Sequence, residues 1–275
     1  MPEDIAREVA AHYDDLDLFY RRIWGEQVHH GLWLQGDETP EEAALGLTRL
    51  VGDRLRLEAG LRVCDVGCGY GRTAAELAER FGVSVQGLTL SARQAAVAAE
   101  RGDPRVEIRC ADWLENDLPD ASFDAALAVE STEHMPDPAR AIAGMARVVK
   151  PGGRIVLCCW LRASDARKWE TRHLLDPICK EGRLAGMGTE RDYLDWLHAA
   201  GLEMLDAEDF TRQVEKTWSV CLRRTLKALL HDRDLRRFLM SRHQENRVFA
   251  ITLLRIRAAY LLGAMRYVVF TAMRP

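Results

Sequence analysis

The chain has 275 residues, of which 48% are hydrophobic and 29% charged, and its formal net charge is −4 at pH 7. This composition is typical of a globular protein with an ample core, and nothing in it argues for a surface that binds nucleic acid. The seven cysteines form no CxxC pair, which favours reduced thiols in a cytoplasmic protein and no metal site. The N-terminus lacks the pattern of a signal peptide.

The first 58 residues have helical patterning. Apolar and charged positions recur at helical spacing from Ile5 to Trp24, and Pro40 begins a further helix. The stretch between them, which contains His29, His30 and Trp33, is aromatic and irregular. Adjacent histidines on an extended segment point to opposite sides, so we do not expect them to share a metal ion.

From Arg62 onward, strand-like and helix-like segments alternate. The predicted strands are Arg62–Val66, Val83–Leu88, Val106–Cys110, Phe123–Val129 and Arg154–Trp160, and the predicted helices are Arg72–Phe81, Ala92–Arg101 and Pro138–Val149. Such units form a parallel sheet with helices on both faces. A helical insertion follows the fifth strand. Two further strands, Glu203–Phe210 and an antiparallel Tyr267–Met273, complete a seven-stranded, Rossmann-like α/β sheet.

The most informative motif is the glycine-rich turn Val63–Gly71. A strand ends in Asp65, Gly67, Gly69 and Gly71 alternate with other residues, and a helix begins directly afterwards. Glycines let the backbone turn sharply and let a ligand lie against it, and the N–H groups at the helix start favour a polar or anionic ligand. We therefore expect an adenosine-like ligand here, with an ordinary strand-to-helix turn as the alternative.

A dinucleotide site is the main rival for this turn. Its fingerprint is G-x-G-x-x-G, but Arg72 stands where the third glycine should fall. An NAD-dependent dehydrogenase is therefore the least favoured function, and nothing favours a non-catalytic adenosine-binding protein. Polar residues also follow the other strand ends, at Thr89–Gln94, Asp112-Trp113 and Glu130–His134. Since ligands of such sheets bind beyond the carboxyl ends of the strands, the four loops predict one crevice.

Together these stretches resemble the class I S-adenosylmethionine-dependent methyltransferases. Within that class the chain is similar to tocopherol C-methyltransferases, cyclopropane-fatty-acid synthases and antibiotic-sugar O-methyltransferases. The matching stretches are Val63–Gly71, Gly87–Ser91, Glu130–Asp137 and Ala146–Gly153. The resemblance spans nearly the whole chain and implies S-adenosylmethionine as the cofactor. It also implies a single methyltransferase domain, in which residues 1–58 form a helical lid that includes His29, His30 and Trp33, 59–160 bind the cofactor, and 161–275 supply the acceptor-binding insertion and the C-terminal strands.

The resemblance also assigns roles within the crevice. Asp65 would face the cofactor's ammonium, or instead stabilise its own loop. Most class members place a ribose-binding carboxylate where this chain has Thr89. The substitute would be Gln94, whose amide can both donate to and accept from a diol. The alternative is that Gln94 is an ordinary exposed helix position. Asp112 would accept from the adenine amino group beside Trp113, which either stacks on the ring or belongs to the core. The predicted cofactor-binding residues are Asp65, Gly67, Gly69, Gly71, Thr89, Leu90, Gln94, Asp112, Trp113 and Glu130.

Methyl transfer requires alignment of the acceptor and exclusion of water, and a hydroxyl acceptor also has to lose a proton. His134 is the predicted general base because an imidazole titrates near neutral pH, and the resemblance to the sugar methyltransferases supports it; a structural role is the alternative. Glu133 is the second candidate. We expect a small hydrophobic or aromatic metabolite of specialised biosynthesis as acceptor, methylated on carbon or oxygen. N-methylation and a cyclopropane-synthase-like activity on lipids are the alternatives.

The surface leaves two questions of assembly open. Three arginines within 248–270, the most apolar late segment, exclude a simple membrane span there. The apolar residues of the same segment would permit a homodimer. The arginine surplus of 212–263 is interpreted as a solvated helical face rather than as a site for an acidic substrate.

Overall fold

The structure is a computed structural model that describes residues 2–25, 27–240 and 249–275. Its centre is a seven-stranded sheet with the strand order β3-β2-β1-β4-β5-β7-β6. The strands are β1 (Arg62–Val66), β2 (Ser84–Thr89), β3 (Val106–Cys110), β4 (Phe123–Val129), β5 (Val149–Arg162), β6 (Glu203–Asp209) and β7 (Met265–Met273). Neighbours among β1 to β5 pair in parallel, whereas β7 runs antiparallel to β5 and β6. The predicted fold class is confirmed.

Helices cover the sheet and form the insertions. They are α1 (Pro2–Asp15), α2 (Asp17–Ile23), α3 (Pro40–Leu55), α4 (Arg72–Phe81), α5 (Ala92–Ala99), α6 (Pro138–Val148), α7 (Lys168–Glu170), α8 (Asp176–Gly182), α9 (Glu190–Ala199), α10 (Thr211–Val214), α11 (Lys216–His231), α12 (Arg233–Met240) and α13 (Phe249–Leu261). A π-helical turn, Thr171–Leu175, joins α7 to α8. Within the described ranges, no helix is long and apolar enough to cross a membrane.

Local sequence signals place the helix starts correctly. The Ser91 hydroxyl accepts a hydrogen bond from the backbone N–H of Gln94 at 3.0 Å and so caps α5. Asp137 does the same for Arg140 at 2.9 Å, ahead of the proline that begins α6. Each cap satisfies an N–H group that has no partner inside its helix. These caps fix where the helices begin relative to the strand ends, and therefore where the crevice lies.

The N-terminal helix predicted from Ile5 to Trp24 is two helices, separated by Leu16. Leu16 and Phe19 are buried in the core, whereas Tyr13 and Val9 face the crevice. Leu16 has φ −91° and ψ 5°, outside the helical region, so the helical backbone is interrupted at this residue.

The fifth strand is longer than predicted. It begins at Val149 rather than Arg154, and it includes Gly152 and Gly153. A Cβ on Gly153 would lie 2.5 Å from the carbonyl oxygen of Asp124. Only glycine allows this close approach of β5 to β4, and at these glycines the pairing register of the two strands shifts, so the strand continues through an irregular stretch.

Candidate active site

The four predicted loops do meet in one crevice beyond the carboxyl ends of the strands. The crevice holds about 810 Å³, its open mouth included. Its predicted lining residues are Gly67, Gly69, Thr89, Leu90, Gln94, Asp112, Trp113, Glu130 and His134. Ala6, Val9 and Tyr13 of α1 cover it from the N-terminal side. Side chains of α1 therefore form one wall of the crevice, and the four loops that were predicted to converge lie around one cavity.

Asp65 lies in a smaller cavity that continues from the glycine turn. This cavity shares Gly67 and Gly69 with the crevice. The Oδ2 atom of Asp65 is buried and has no hydrogen-bond partner among the described residues, and burial raises the pKa of its carboxyl to about 7. A buried oxygen without a donor is destabilising, so this geometry fits the ammonium of S-adenosylmethionine and leaves the loop-stabilising alternative without support.

Glycine is required in this turn by backbone geometry as well as by space. Gly67 and Gly69 have φ angles of 76° and 55°. A Cβ on Gly67 would lie 2.3 Å from the side chain of Ser131, whereas one on Gly69 would project into open space, 3.9 Å from Gln94 Nε2. Gly71 does not line the crevice but precedes α4 as its N-cap, so it shapes the turn rather than touching a ligand.

Two further residues of the Asp65 cavity were not predicted to contact the cofactor. Arg72 lines it from the first turn of α4, and His29 lines it from the N-terminal segment. A cavity that contains both a cation and a carboxylate can bind an amino-acid group, because the cation pairs with its carboxylate and the carboxylate with its ammonium. Arg72 could have been predicted from its position, because it directly follows the glycine turn at the start of the helix. His29 hydrogen-bonds Thr73 Oγ1 through Nε2 at 3.3 Å.

Thr89 and Gln94 form a pair at the expected ribose position. The Thr89 hydroxyl donates to Gln94 Oε1 at 2.7 Å, and Gln94 is buried, which excludes the exposed-position alternative. The bond orients the amide so that its N–H groups remain available on the side of Gly69. This orientation is compatible with a donor to a ribose hydroxyl.

Asp112 and Trp113 lie where adenine is expected. Asp112 Oδ1 accepts from the backbone N–H of Leu114 at 2.9 Å, which holds the carboxylate at the crevice wall. Trp113 is only 3% exposed, and its indole N–H donates to the Ala141 carbonyl at 3.0 Å. Most of this ring therefore belongs to the core, and it presents one edge to the crevice.

Glu130 lines the crevice, but its carboxylate is engaged elsewhere. Its oxygens accept from the His30 backbone N–H at 2.7 Å, Trp160 Nε1 at 2.7 Å and the Tyr267 hydroxyl at 2.8 Å, and His30 Nδ1 lies 3.0 Å away. Burial alone would raise the pKa of Glu130, but the neighbouring His30 ring and these donors outweigh it and lower the pKa to about 2. Its φ of 54° is strained for a residue with a side chain. Through these contacts the carboxylate, which follows β4, connects the N-terminal segment with β5 and β7.

The structure corrects the prediction that Glu133 is a second candidate base. Its Oε1 accepts from the backbone N–H of Trp160 and its Oε2 from the Thr132 hydroxyl. It is buried, and in the described part of the chain it lines neither the crevice nor the neighbouring cavity. A general base must reach the proton that it removes. Burial, together with the nearby Glu130 charge, raises its pKa to about 8, so this side chain is a neutral structural acid at pH 7.

His134 is held in one tautomer at the crevice. Its Nδ1 lies 3.1 Å from the carbonyl oxygen of Arg183, and because a carbonyl can only accept, Nδ1 carries the proton. Its Nε2 therefore has the lone pair, and it accepts from the Tyr13 hydroxyl at 3.0 Å. Burial lowers the pKa of the ring. The imidazole is thus neutral near pH 7, with its basic nitrogen directed toward the lid.

A second cavity of about 520 Å³ adjoins the crevice at His134. Both cavities are lined by Tyr13, Val28, Glu130 and His134. Aromatic rings form much of the wall of the second cavity, and the remaining wall comes from the insertion; the contributing side chains are Tyr20, Trp24, His30, Trp160, Trp218, Ile178, Leu184, Thr252 and Ile256. We refer to it as the aromatic cavity. Long-range contacts build it, and its wall residues Trp160 and Trp218 were not singled out from the sequence.

Trp33 lies away from both cavities, contrary to its predicted place in the lid. Its indole N–H donates to Thr217 Oγ1 at 3.0 Å, and it packs with Ala43 and Val220. Its apolar ring is covered by α3 and α11, which explains why it is not available over the crevice. His30, by contrast, accepts from Trp218 Nε1 at 2.7 Å and lines the aromatic cavity.

Comparison with known proteins agrees with this geometry. Residues 2–248 match the family described as "Mycolic acid cyclopropane synthetase". The chain belongs to this family. It is similar to 27-O-demethylrifamycin SV methyltransferase of Amycolatopsis mediterranei, with 34% identity over 280 residues that cover 100% of both chains.

Two solved structures have the same fold as this chain. The cyclase SpnF is 29% identical, with a TM-score of 0.79 and coverage of 98% of this chain and 97% of that chain. The mycolic acid cyclopropane synthase CmaA1, complexed with SAH and CTAB, is 19% identical, with a TM-score of 0.84 and coverage of 98% of both chains; at that identity it shows the fold alone. The protein is an S-adenosylmethionine-dependent methyltransferase that acts on a small molecule, as predicted.

Proposed function

We propose that this enzyme methylates a hydroxyl group of a small, ring-containing metabolite of specialised biosynthesis, with His134 as the general base. The observation that carries the proposal is the meeting of the cofactor crevice and the aromatic cavity at His134 and Tyr13. A donor in one cavity and an acceptor in the other would meet beside the basic nitrogen of His134. When bound, S-adenosylmethionine supplies an electrophilic methyl group, and the protein has to align the acceptor and take up its proton.

The residues that would hold the cofactor follow from the crevice. Asp65 would bind the ammonium, the Gln94 amide a ribose hydroxyl, and Asp112 the adenine amino group. Each of these side chains lines the crevice or the cavity continuous with it. Tyr13 would close the crevice from the lid side and exclude water from the acceptor.

A hydroxyl acceptor suits the state of His134. Its ring is neutral because burial lowers its pKa, and the N–H at Nδ1 is fixed by the Arg183 carbonyl. The hydroxyl of an acceptor could take the place of the Tyr13 hydroxyl as donor to Nε2, and Nε2 would then receive the proton as the oxygen is methylated. The 27-O-demethylrifamycin SV methyltransferase of A. mediterranei, 34% identical over the full chain, supports O-methylation.

An amine acceptor is less well supported. A neutral amine is the form that attacks the methyl group, and the charged ammonium that it becomes would need a carboxylate inside the aromatic cavity to stabilise it. Glu130 reaches that cavity, but its oxygens already accept three hydrogen bonds and face His30. Tryptophan and tyrosine rings dominate the rest of the wall. Flat apolar surfaces of this kind favour a ring system over a flexible charged chain.

The test is to incubate the enzyme with S-adenosylmethionine and a panel of phenols, ring alcohols and macrocyclic alcohols, and to locate the added methyl group by mass spectrometry and NMR. We expect a methyl ether. With the best acceptor, His134→Ala should lower the rate by about 10²–10⁴, retain cofactor affinity, and recover at high pH. His173→Ala is the matched control, because His173 is an exposed histidine that lines neither cavity.

Two results would contradict the proposal. Methylation only on carbon or nitrogen would exclude the hydroxyl acceptor, and an unaltered rate in His134→Ala would exclude the base. The single-domain organisation, the cytoplasmic location and the homodimer stay predictions. Gel filtration with light scattering would test the last of these.

A further inference from the structure

An open groove lined by basic side chains lies between α2 and the C-terminal half of α11, outside the two cavities described above. Its cationic lining consists of Arg21, Arg22, Arg224, Lys227 and Arg233, together with His231. Two carboxylates, Glu41 and Asp232, also line it. We call this surface the basic groove. Its positive charge contrasts with a chain whose formal net charge is −4.

The two carboxylates are already paired. Asp232 forms an ion pair with Arg22, and Glu41 pairs with Arg224 at 2.8 Å. Arg224 also donates to the Ile23 carbonyl at 3.0 Å, so its guanidinium is held in place. These contacts hold the guanidinium groups of Arg22 and Arg224 at the groove, and each paired carboxylate cancels the charge of its arginine.

Three cations remain. Arg21, Lys227 and Arg233 are exposed, and in the described part of the chain their side chains make no hydrogen bond or ion pair. Like charges that converge on one concave surface repel each other, and an anion bound between them removes that repulsion. Arginine and lysine together provide both bidentate donors and a mobile point charge for phosphate oxygens.

We propose that the basic groove binds the diphosphate group of a small molecule. Three uncompensated cations match a diphosphate better than a single carboxylate, which would neutralise only one of them. The sources of such a group include free pyrophosphate, a nucleoside diphosphate, and a coenzyme A-type pantetheine carrier. The shared chemistry is the diphosphate itself, and the experiment separates the sources.

The groove borders the aromatic cavity. Gly25 lines the groove, and the preceding residue, Trp24, lines the aromatic cavity. Trp24 packs edge-on against Trp218 of α11, with ring centroids 5.4 Å apart. A single layer formed by α2 and α11 thus separates the two spaces, and a diphosphate in the groove would lie against the outer side of the wall that contacts the acceptor.

The test measures binding of pyrophosphate, ADP and coenzyme A to the full chain by isothermal titration calorimetry, at low and at physiological ionic strength. Charge reversal by Lys227→Glu or Arg233→Glu should weaken the tightest of the three about tenfold each, as expected for hydrogen bonds between charged groups. Arg80→Glu is the matched control, since Arg80 is an exposed arginine of α4 that does not line the groove. Sulfate at the same ionic strength controls for unspecific anion binding.

The relative affinities identify the source. Equal binding of pyrophosphate and coenzyme A assigns the groove to the diphosphate alone, and tighter coenzyme A binding adds a contribution from the carrier. The proposal is overturned if none of the probes saturates, if sulfate binds equally well, or if Arg80→Glu weakens binding as much as Lys227→Glu. Binding to anionic phospholipid vesicles in the absence of diphosphate binding would overturn it in favour of a membrane surface. No acceptor or methyl transfer is involved, so failure here leaves the proposed function untouched.

Discussion

The Tyr13 hydroxyl donates a hydrogen bond of 3.0 Å to Nε2 of His134, across 121 residues of sequence. The opposite nitrogen, Nδ1, is fixed by the carbonyl of Arg183, and Arg183 pairs in turn with Glu8 of α1 at 3.2 Å. Helix α1, the first part of the predicted lid, therefore contacts both the basic nitrogen and the segment that orients the ring. With the lid in this position, the lone pair of His134 is satisfied by the protein, and an acceptor has to replace Tyr13 to reach it.

Tyr13→Phe should change how the reaction depends on pH. The Tyr13 hydroxyl stabilises the neutral imidazole by about 1 kcal/mol, so its removal should raise the pKa of His134. The base would then be lost by protonation at a higher pH, and the acid limb of the rate–pH profile should move upward. Profiles of kcat/KM for the acceptor, which report the pKa of His134 before the acceptor replaces Tyr13, check this when measured for wild type and variant with saturating cofactor.

The control for this prediction is Tyr20→Phe. Tyr20 lies in the adjacent lid helix, and its hydroxyl bonds His12 rather than His134, at 3.1 Å. It should leave the acid limb in place. An unchanged profile in Tyr13→Phe would show that the contact has no influence on the base, and a parallel shift in both variants would indicate a general effect of loosening the lid.

Cofactor affinity should depend on the protonation of Asp65. Burial raises the pKa of this carboxyl to about 7, and only its ionised form can pair with the cofactor's ammonium. Below pH 7 a proton must leave before binding, so affinity should fall about tenfold per pH unit. Calorimetry in buffers of different ionisation enthalpy should detect a released proton at about pH 6.

Two controls isolate this effect. Asp65→Asn should bind S-adenosylmethionine more weakly at high pH, by about 1.5–3 kcal/mol for a charged hydrogen bond, and its affinity should no longer vary with pH. 5′-Methylthioadenosine, which lacks the amino-acid portion, should show no such dependence with the wild type. A pH-dependent affinity for methylthioadenosine would place the titrating group elsewhere in the crevice.

The cofactor crevice was predictable because its determinants are local in sequence. Asp65, Gly67 and Gly69 are contiguous with a strand of apolar residues, and a parallel sheet brings the carboxyl ends of its strands to one edge. The predicted bounds of β1, β3, β4 and α4 agree with the structure for the same reason. Hydrophobic periodicity and capping residues depend on residues a few positions apart, and such local contacts determine where these strands and this helix begin and end.

The aromatic cavity was not predictable from such signals. Tyr13, Trp160 and Trp218 reach it from the lid, β5 and α11, and their periodicity shows only that they are buried. The role of Glu130 was also missed, because its three donors come from distant segments. Likewise, the carboxylates at 130 and 133 look alike in sequence. Both are buried and accept hydrogen bonds, but the His30 ring lowers the pKa of Glu130, whereas burial and the nearby Glu130 charge raise that of Glu133.

The ribose contact can be tested at Gln94. If its amide replaces the usual carboxylate, Gln94→Ala should weaken cofactor binding by about 1–3 kcal/mol, the cost of leaving buried polar groups unpaired. The rate at saturating cofactor should change little, since ribose contacts scarcely alter in the transition state. Because the Thr89 hydroxyl orients the amide at 2.7 Å, Thr89→Val should weaken binding less, and the double variant should show non-additivity. A normal dissociation constant for Gln94→Ala would assign the ribose contact to Thr89, Ser91 or water.

Glu133→Gln should remove a loss of folding stability that the wild type shows as pH rises. Because burial raises the pKa of Glu133 to about 8 from about 4.3 in an unfolded chain, the folded state holds a proton that the unfolded state has released. The stabilisation is fully present below the unfolded pKa and is lost as pH rises through the folded pKa, at up to about 1.4 kcal/mol per pH unit. Glutamine mimics the protonated acid and can still accept from the Trp160 N–H. Glu130 does not interfere, because its lowered pKa affects stability only at acidic pH.

The measurement is the free energy of unfolding by denaturant at a series of pH values from about 5 to about 9. The difference between variant and wild type should grow with pH and favour Glu133→Gln at the alkaline end. Glu107→Gln is the matched control, since it removes an exposed carboxylate from β3. If the difference stayed constant with pH, Glu133 would be ionised in the folded state, and its exclusion as a base would then rest on its distance from the cavities alone. If the difference grew with pH, Glu133 would be protonated in the folded state while the nearby Glu130 is ionised. The two glutamates would then differ in protonation because the fold gives them different hydrogen-bond donors and charged neighbours.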